Sequence, residues 1–136
     1  MPVTRAADSR RTETPNGVMT TLASPTQGGS QLAVWRVDMV PGAEGPPHVF
    51  STDQVWTVVG GRARIALAGE EVAVGEGDTV IMPADTDRQI TADAERGFAA
   101  IVCAPASTRI YPRQPNAGVP SAATVDGDKI LPKWIA

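Results

Sequence analysis

From Ala33 to Met39 the chain alternates: Ala33, Trp35, Val37 and Met39 fall on one set of positions, and Val34, Arg36 and Asp38 on the other. A period of two is that of a β-strand with one face turned inward, because successive Cβ atoms point to opposite sides of the backbone. The period recurs at Gln54–Val59, where Gln54, Trp56 and Val58 share a face, and at Arg62–Leu67, where Ala63, Ile65 and Leu67 do. The Gly60–Gly61 pair between those runs predicts a hairpin turn, since glycine reaches positive φ at little cost. Val18–Ala23 predicts a first strand, and Glu71–Val74, Thr79–Met82, Arg88–Ala92 and Phe98–Cys103 predict four more, with turn residues between them. No 3.6-residue period appears. Short strands at intervals of roughly eight to twelve residues, joined by turns, indicate an all-β sandwich or barrel, and a double-sheet jelly roll suits their number.

The two ends read differently. Residues 1 to 17 are polar and charged without periodicity and predict a flexible N-terminal arm. Residues 18 to 104 make the barrel. From 105 to 136 the chain is punctuated by Pro105, Pro112, Pro115, Pro120 and Pro132, and it predicts an extended tail, not a second domain. Its apolar end, ILPKWIA, is expected to dock on the barrel or on a neighbouring subunit, because apolar clusters are seldom left exposed.

With 136 residues, one domain is expected. Lys and Arg number 12 against 15 Asp and Glu, and no basic cluster exceeds Arg10–Arg11, so nucleic acid is not an expected partner. No apolar run approaches membrane-spanning length, and the first residues lack the apolar core of a secretory signal, so a soluble, cytoplasmic protein without membrane contact is expected. The single cysteine, Cys103, has no partner for an internal disulfide and reads as a small buried hydrophobe. Abundant Ala, Gly, Pro and Arg are compatible with a high-GC bacterial source.

Two segments carry spaced motifs. In GAEGPPHVFSTDQVWTVVGG, Gly42 is followed after five residues by His48-x-Phe50, after three more by Gln54, and after six more by Gly61. In GDTVIMPADTDR, Gly77 is followed after five residues by Pro83-Ala84-Asp85 and after two more by Arg88. These spacings, with the fifteen residues between them, resemble the two motifs of the cupin superfamily. The resemblance covers about Val18 to Cys103 and implies a jelly-roll β-barrel.

It also implies a divalent metal, held in the family by two histidines and a glutamate of the first motif and a histidine of the second. At those positions this chain has His48, Phe50, Gln54 and Arg88. Phenylalanine cannot ligate, glutamine offers a neutral amide oxygen, and a guanidinium repels a cation. A stable catalytic zinc or iron site needs about three good protein ligands. No metal and no cofactor are therefore expected, with Glu44, Asp53, Asp85 and Asp87 as the rescue donors nearest in sequence.

Strand alternation places Trp35, Val37, Met39, Phe50, Trp56 and Val58 on inward faces, either as the lining of a small-molecule cavity or as plain core. His48, Gln54 and Arg88 are the polar minority among them. His48 reads as a rim histidine held by hydrogen bonds or as an acid/base group, Gln54 as a donor to a carbonyl or enolate oxygen, and Arg88 as a surface ion pair with Asp85 or Asp87 or as the holder of a carboxylate, phosphate or oxyanion. Small bacterial cupins similar to this chain include cyclases and isomerases. The expected function is metal-independent acid/base chemistry of the isomerase, cyclase or elimination (lyase) type on a small apolar carbonyl compound, with His48 and Gln54 as catalytic residues. A non-catalytic small-molecule-binding cupin and a metal-dependent oxygenase with unusual ligands are the alternatives. A homodimer is the expected assembly.

Overall fold

A computed structural model of the chain describes residues 2–112, 123–126 and 129–136. Pro115 and Pro120, expected in the extended tail, lie outside the described residues. Twelve strands follow a single 3-10 turn at Ala6–Asp8: β1 (Arg10–Thr14), β2 (Gly17–Ala23), β3 (Leu32–Met39), β4 (His48–Phe50), β5 (Gln54–Leu67), β6 (Glu70–Gly75), β7 (Thr79–Met82), β8 (Arg88–Ala92), β9 (Phe98–Pro105), β10 (Ile110–Pro112), β11 (Ala123–Asp126) and β12 (Lys129–Pro132).

All pairings between these strands are antiparallel, in the order β1-β2-β3-β9-β5-β8-β4-β10-β12-β11, with β6 and β7 also on β5. β5 belongs to both halves of this curled sheet. Its first half lies between β9 and β7, and its second half between β6 and β8. The front half is thus β1-β2-β3-β9-β5-β7 and the back half β6-β5-β8-β4-β10-β12-β11, the double-sheet jelly roll that the strand pattern predicts.

The Gly60–Gly61 pair is a correction. It does not end a strand: β5 runs through it, with a register shift against β9 between Val58 and Gly60. Gly61 sits at φ 67°, and a Cβ there would strike the carbonyl oxygen of Gly97. Tight hairpins and glycine-type bulges both use a residue at positive φ, so the pair signals either. Here it makes the corner at which one strand changes sheets.

Alternation then fills the interior. Ala33, Trp35, Val37 and Met39 of β3 are buried while Leu32 and Arg36 are exposed. A cross-strand row runs Thr21–Trp35–Val102–Trp56–Val80 through five strands of the front half. Phe50, Ile65, Ile90, Ile110 and Ile130 close the core from the back half.

Both ends of the chain join this sheet. Residues 10–14, within the expected arm, form a hairpin with β2 through Thr14↔Gly17, because paired edge strands need no apolar period on their outer face. At the other end β10 pairs with β4 and β12 with β10. The terminal apolar residues dock on the chain's own barrel. Trp134 and Ile135 are buried in the core, and Thr21 Oγ1 donates to the Trp134 carbonyl at 2.8 Å. Among the described residues, no helix is long and apolar enough to cross a membrane.

Candidate functional site

β4 is only three residues long, yet it sits between β8 and β10 and brings the two motifs together. His48 is the register partner of Arg88 on one side and of Pro112 on the other. The loop before β8 is tied to it: Asp85 N–H donates to the Phe50 carbonyl at 2.8 Å, and Ala84 N–H donates to Asp53 Oδ1 at 2.8 Å. Asp85 has φ 57°, the left-handed conformation that aspartate tolerates better than most residues.

Arg88 ends up inside. It is 4% exposed, so the surface ion pair with Asp85 or Asp87 is not formed. Its Nη1 donates to Gln54 Oε1 at 3.0 Å and to Met82 Sδ at 3.4 Å, and its Nη2 donates to the Pro83 carbonyl at 3.1 Å. The guanidinium carbon lies 4.7 Å from the centre of the Phe50 ring, a cation–π contact. His48 meets the same ring edge-on at 5.8 Å. Burial pushes the Arg88 guanidinium down to about 10, with the charge of Asp53 pulling the other way, so it stays protonated at neutral pH.

Gln54, expected to face a ligand, is 0% exposed and is not among the residues that border the cavity. Its Oε1 is shared by Arg88 and by Trp56 Nε1, at 3.0 and 2.9 Å, and its buried Nε2 has no hydrogen-bond partner among the described residues. Strand alternation correctly faces Gln54 inward, but it says nothing of depth. Val58 is likewise packed in the core, 1% exposed, and not part of the lining.

The cavity, about 360 Å³, is bordered by Trp35, Val37, Met39, Phe50 and Trp56 from the expected set, with His48 and Arg88 as polar members. Its size is that of a small-molecule site. Sequence reasoning missed Met19, Ile90 and Trp134 in its wall, and the Thr14–Gly17 turn of the first hairpin beside it. Met19 was within reach, since it shares the inward face of β2 with Thr21. The Thr14–Gly17 turn lay in a stretch without any periodic signal.

The residues present do not fit a metal. Of the four motif positions, Phe50 has no donor, Gln54 Oε1 already accepts two hydrogen bonds, and Arg88 carries a positive charge into the space between them. Among the described residues, no three His, Cys, Asp or Glu gather in a group able to hold an ion. Of the rescue donors, Glu44 receives Gln89 Nε2 at 2.9 Å on an exposed edge, and Asp53 is exposed and engaged with the Ala84 N–H.

Solved structures with the same fold include the polyketide cyclase RemF from Streptomyces resistomycificus, at a TM-score of 0.69 and 16% identity over 94% of this chain and 89% of that one. KdgF from Halomonas sp. matches at 0.64 and 21% identity, covering 77% of this chain and 94% of that one. Oxalate decarboxylase from Bacillus subtilis, a protein with Mn(II) centres, matches at 0.64 and 21% identity over 74% of this chain, which spans 28% of the decarboxylase. No curated protein matches the sequence. The family model for the cupin domain matches residues 35–103, just over half of the chain and all of both motifs. Curled antiparallel sheet, motif spacings and family model agree, and the chain belongs to the cupin family.

Proposed function

We propose that this cupin is an enzyme that moves protons on a small, apolar, carbonyl-bearing molecule without a metal. One observation carries the reading: the chain's single histidine and a buried guanidinium border the same apolar cavity. Imidazole exchanges protons near neutral pH, and a fixed guanidinium stabilises negative charge on oxygen.

In this chemistry the substrate carbonyl oxygen faces Arg88 and the adjacent C–H faces His48. His48 takes the proton from carbon, the electron pair moves onto oxygen, and the resulting enolate is held by Arg88. The proton then returns from His48 to another carbon in an isomerisation, or to a departing hydroxyl in an elimination. Gln54 acts one step back, orienting Arg88 through the 3.0 Å hydrogen bond at Nη1. A cupin named as a polyketide cyclase, RemF, matches this chain over nearly the whole of both lengths, which supports a carbonyl-rich substrate.

The test needs no natural substrate. Wild-type protein is incubated with 2-tetralone in deuterated water, and deuterium uptake beside the carbonyl is followed by NMR. Catalysed exchange that falls by about 10²- to 10⁴-fold in His48→Ala is expected. Exchange at the same rate in the variant removes His48 from the chemistry, and a bound ketone recovered without catalysed exchange makes the protein a binding cupin.

A further inference from the structure

We infer that the cavity takes its ligand as an oxyanion: an apolar, ring-sized molecule with one enol or phenol oxygen that is ionised when bound and is held by Arg88. This rests on the reading of the cavity as a small-molecule site and adds the charge state of what it takes.

Arg88 is a cation in a wall that, among the described residues, puts no carboxylate against it; the charge of Asp53 reaches it only from the exposed surface. Among the described residues, no Asp or Glu borders the cavity and Arg88 forms no ion pair. A buried charge without a counter-charge is expensive, and arginine is seldom buried unless paired. Among the described residues its contacts are neutral: the Gln54 amide oxygen, the Met82 sulfur, the Pro83 carbonyl and the face of Phe50. They fix the guanidinium in place without cancelling its charge. Among the described residues its Nε–H has no acceptor.

Gln54 is the informative residue. A glutamate at that position, as in the family motif, would be a carboxylate against Nη1, whereas the amide accepts the same hydrogen bond and supplies no negative charge. Asp53, whose field does reach Arg88, is exposed and already accepts from Ala84 N–H. His48, the other titratable group of the wall, can add only positive charge. The complement to this wall is one negative charge, brought by the ligand.

The shape of the wall limits the kind of anion. Trp35, Trp56, Phe50 and Trp134 make much of the wall aromatic and apolar, and Arg88 has few N–H groups to spare. A phosphate needs several donors, whereas a phenolate or enolate concentrates its charge on one oxygen and leaves its rings for the aromatic faces. The proton it loses passes to His48 or to water.

The probe is 4-nitrophenol, whose neutral and ionised forms absorb at different wavelengths, with 4-nitroanisole as the analogue that cannot ionise. Binding is followed by tryptophan fluorescence, and the bound nitrophenol is titrated by its absorbance. In the wild type, 4-nitrophenol is expected to bind more tightly than 4-nitroanisole, with its pKa lowered by about 1 to 3 units, the effect of an opposite charge close by. Gln54→Glu, which supplies the missing counter-charge, should abolish that lowering. Arg88→Met should reverse it, because desolvation alone favours the neutral phenol. If Arg88→Met fails to fold, Gln54→Glu and the wild-type titration still decide. Nitrophenol bound in its neutral form, no more tightly than nitroanisole, overturns the inference and leaves the small-molecule reading standing. Failure of both probes to bind at any pH overturns the two together.

Discussion

The front and back halves of the sheet are built to different rules. In the front half β2, β3 and β9 are seven or eight residues long, and the inward side chains are apolar apart from Thr12, Thr21 and Gln54. Thr21 spends its hydroxyl on the Trp134 carbonyl, and Gln54 its amide oxygen on Trp56 and Arg88. In the back half β4 has three residues and β8 five, and these two carry His48 and Arg88. Long, regularly paired strands make a wall whose positions are set by packing. Short strands, held by loops and by the chain's last residues, present the polar groups. Substitutions should therefore separate stability from ligand chemistry according to the half they touch.

The largest loss of stability is expected from Trp35→Ala in the front half. Trp35 is 1% exposed in the middle of the five-strand row, and removing its ring should cost about 3–5 kcal/mol in urea unfolding. Next is Gly61→Ala, at the corner that joins the halves. Positive φ and the clash with the Gly97 carbonyl together predict a loss of about 2–3 kcal/mol, again by urea unfolding.

Arg88→Met, in the back half, should change stability by no more than about 1 kcal/mol, since loss of hydrogen bonds is offset by relief of a desolvated charge. The titration of Arg88 has the matching sign. Its folded pKa, about 10, lies below the unfolded one, so the unfolded chain binds more protons above that pH and the burden of the buried charge eases as pH rises through it. Anion binding, by contrast, should be lost in this variant. An equal collapse of Arg88→Met and Trp35→Ala would erase the distinction between the halves.

The smallest effect concerns the Asp93–Gly97 turn beside the corner. Asp93 Oδ2 accepts from the N–H groups of Arg96 and Glu95, which hold its carboxyl below the ordinary value. Its contribution is full above the unfolded pKa of about 4 and is lost as pH falls through the folded one. Asp93→Ala should therefore remove a small contribution at neutral pH, where it is fully present, and flatten that part of the acid unfolding curve, so that variant and wild type converge as pH falls.

The same division explains what the sequence reveals. β3, both halves of β5, β8 and β9 show in it because one buried face imposes a period of two. β1 and β10 do not, since β1 is an edge strand of polar residues and β10 is three residues long and ends in proline. The corner at Gly61 is visible as a backbone requirement but not as to kind. His48, Phe50 and Arg88 meet because motif spacing and strand register coincide. Arg88 looked like a surface residue because Asp85 and Asp87 are its neighbours in sequence, whereas the β8 register turns its side chain inward and theirs belong to the loop. Depth within the barrel, which separates Gln54 and Val58 from the lining, depends on curvature and has no local signal.

The most direct measurement is a high-resolution crystal structure of the protein with 4-nitrophenol bound. The expected result is a phenolate oxygen within hydrogen-bonding distance of the Arg88 guanidinium, with the ring between Trp35 and Trp56 and His48 beside it. A metal ion coordinated by His48, or a ligand whose oxygen turns away from Arg88, would contradict it.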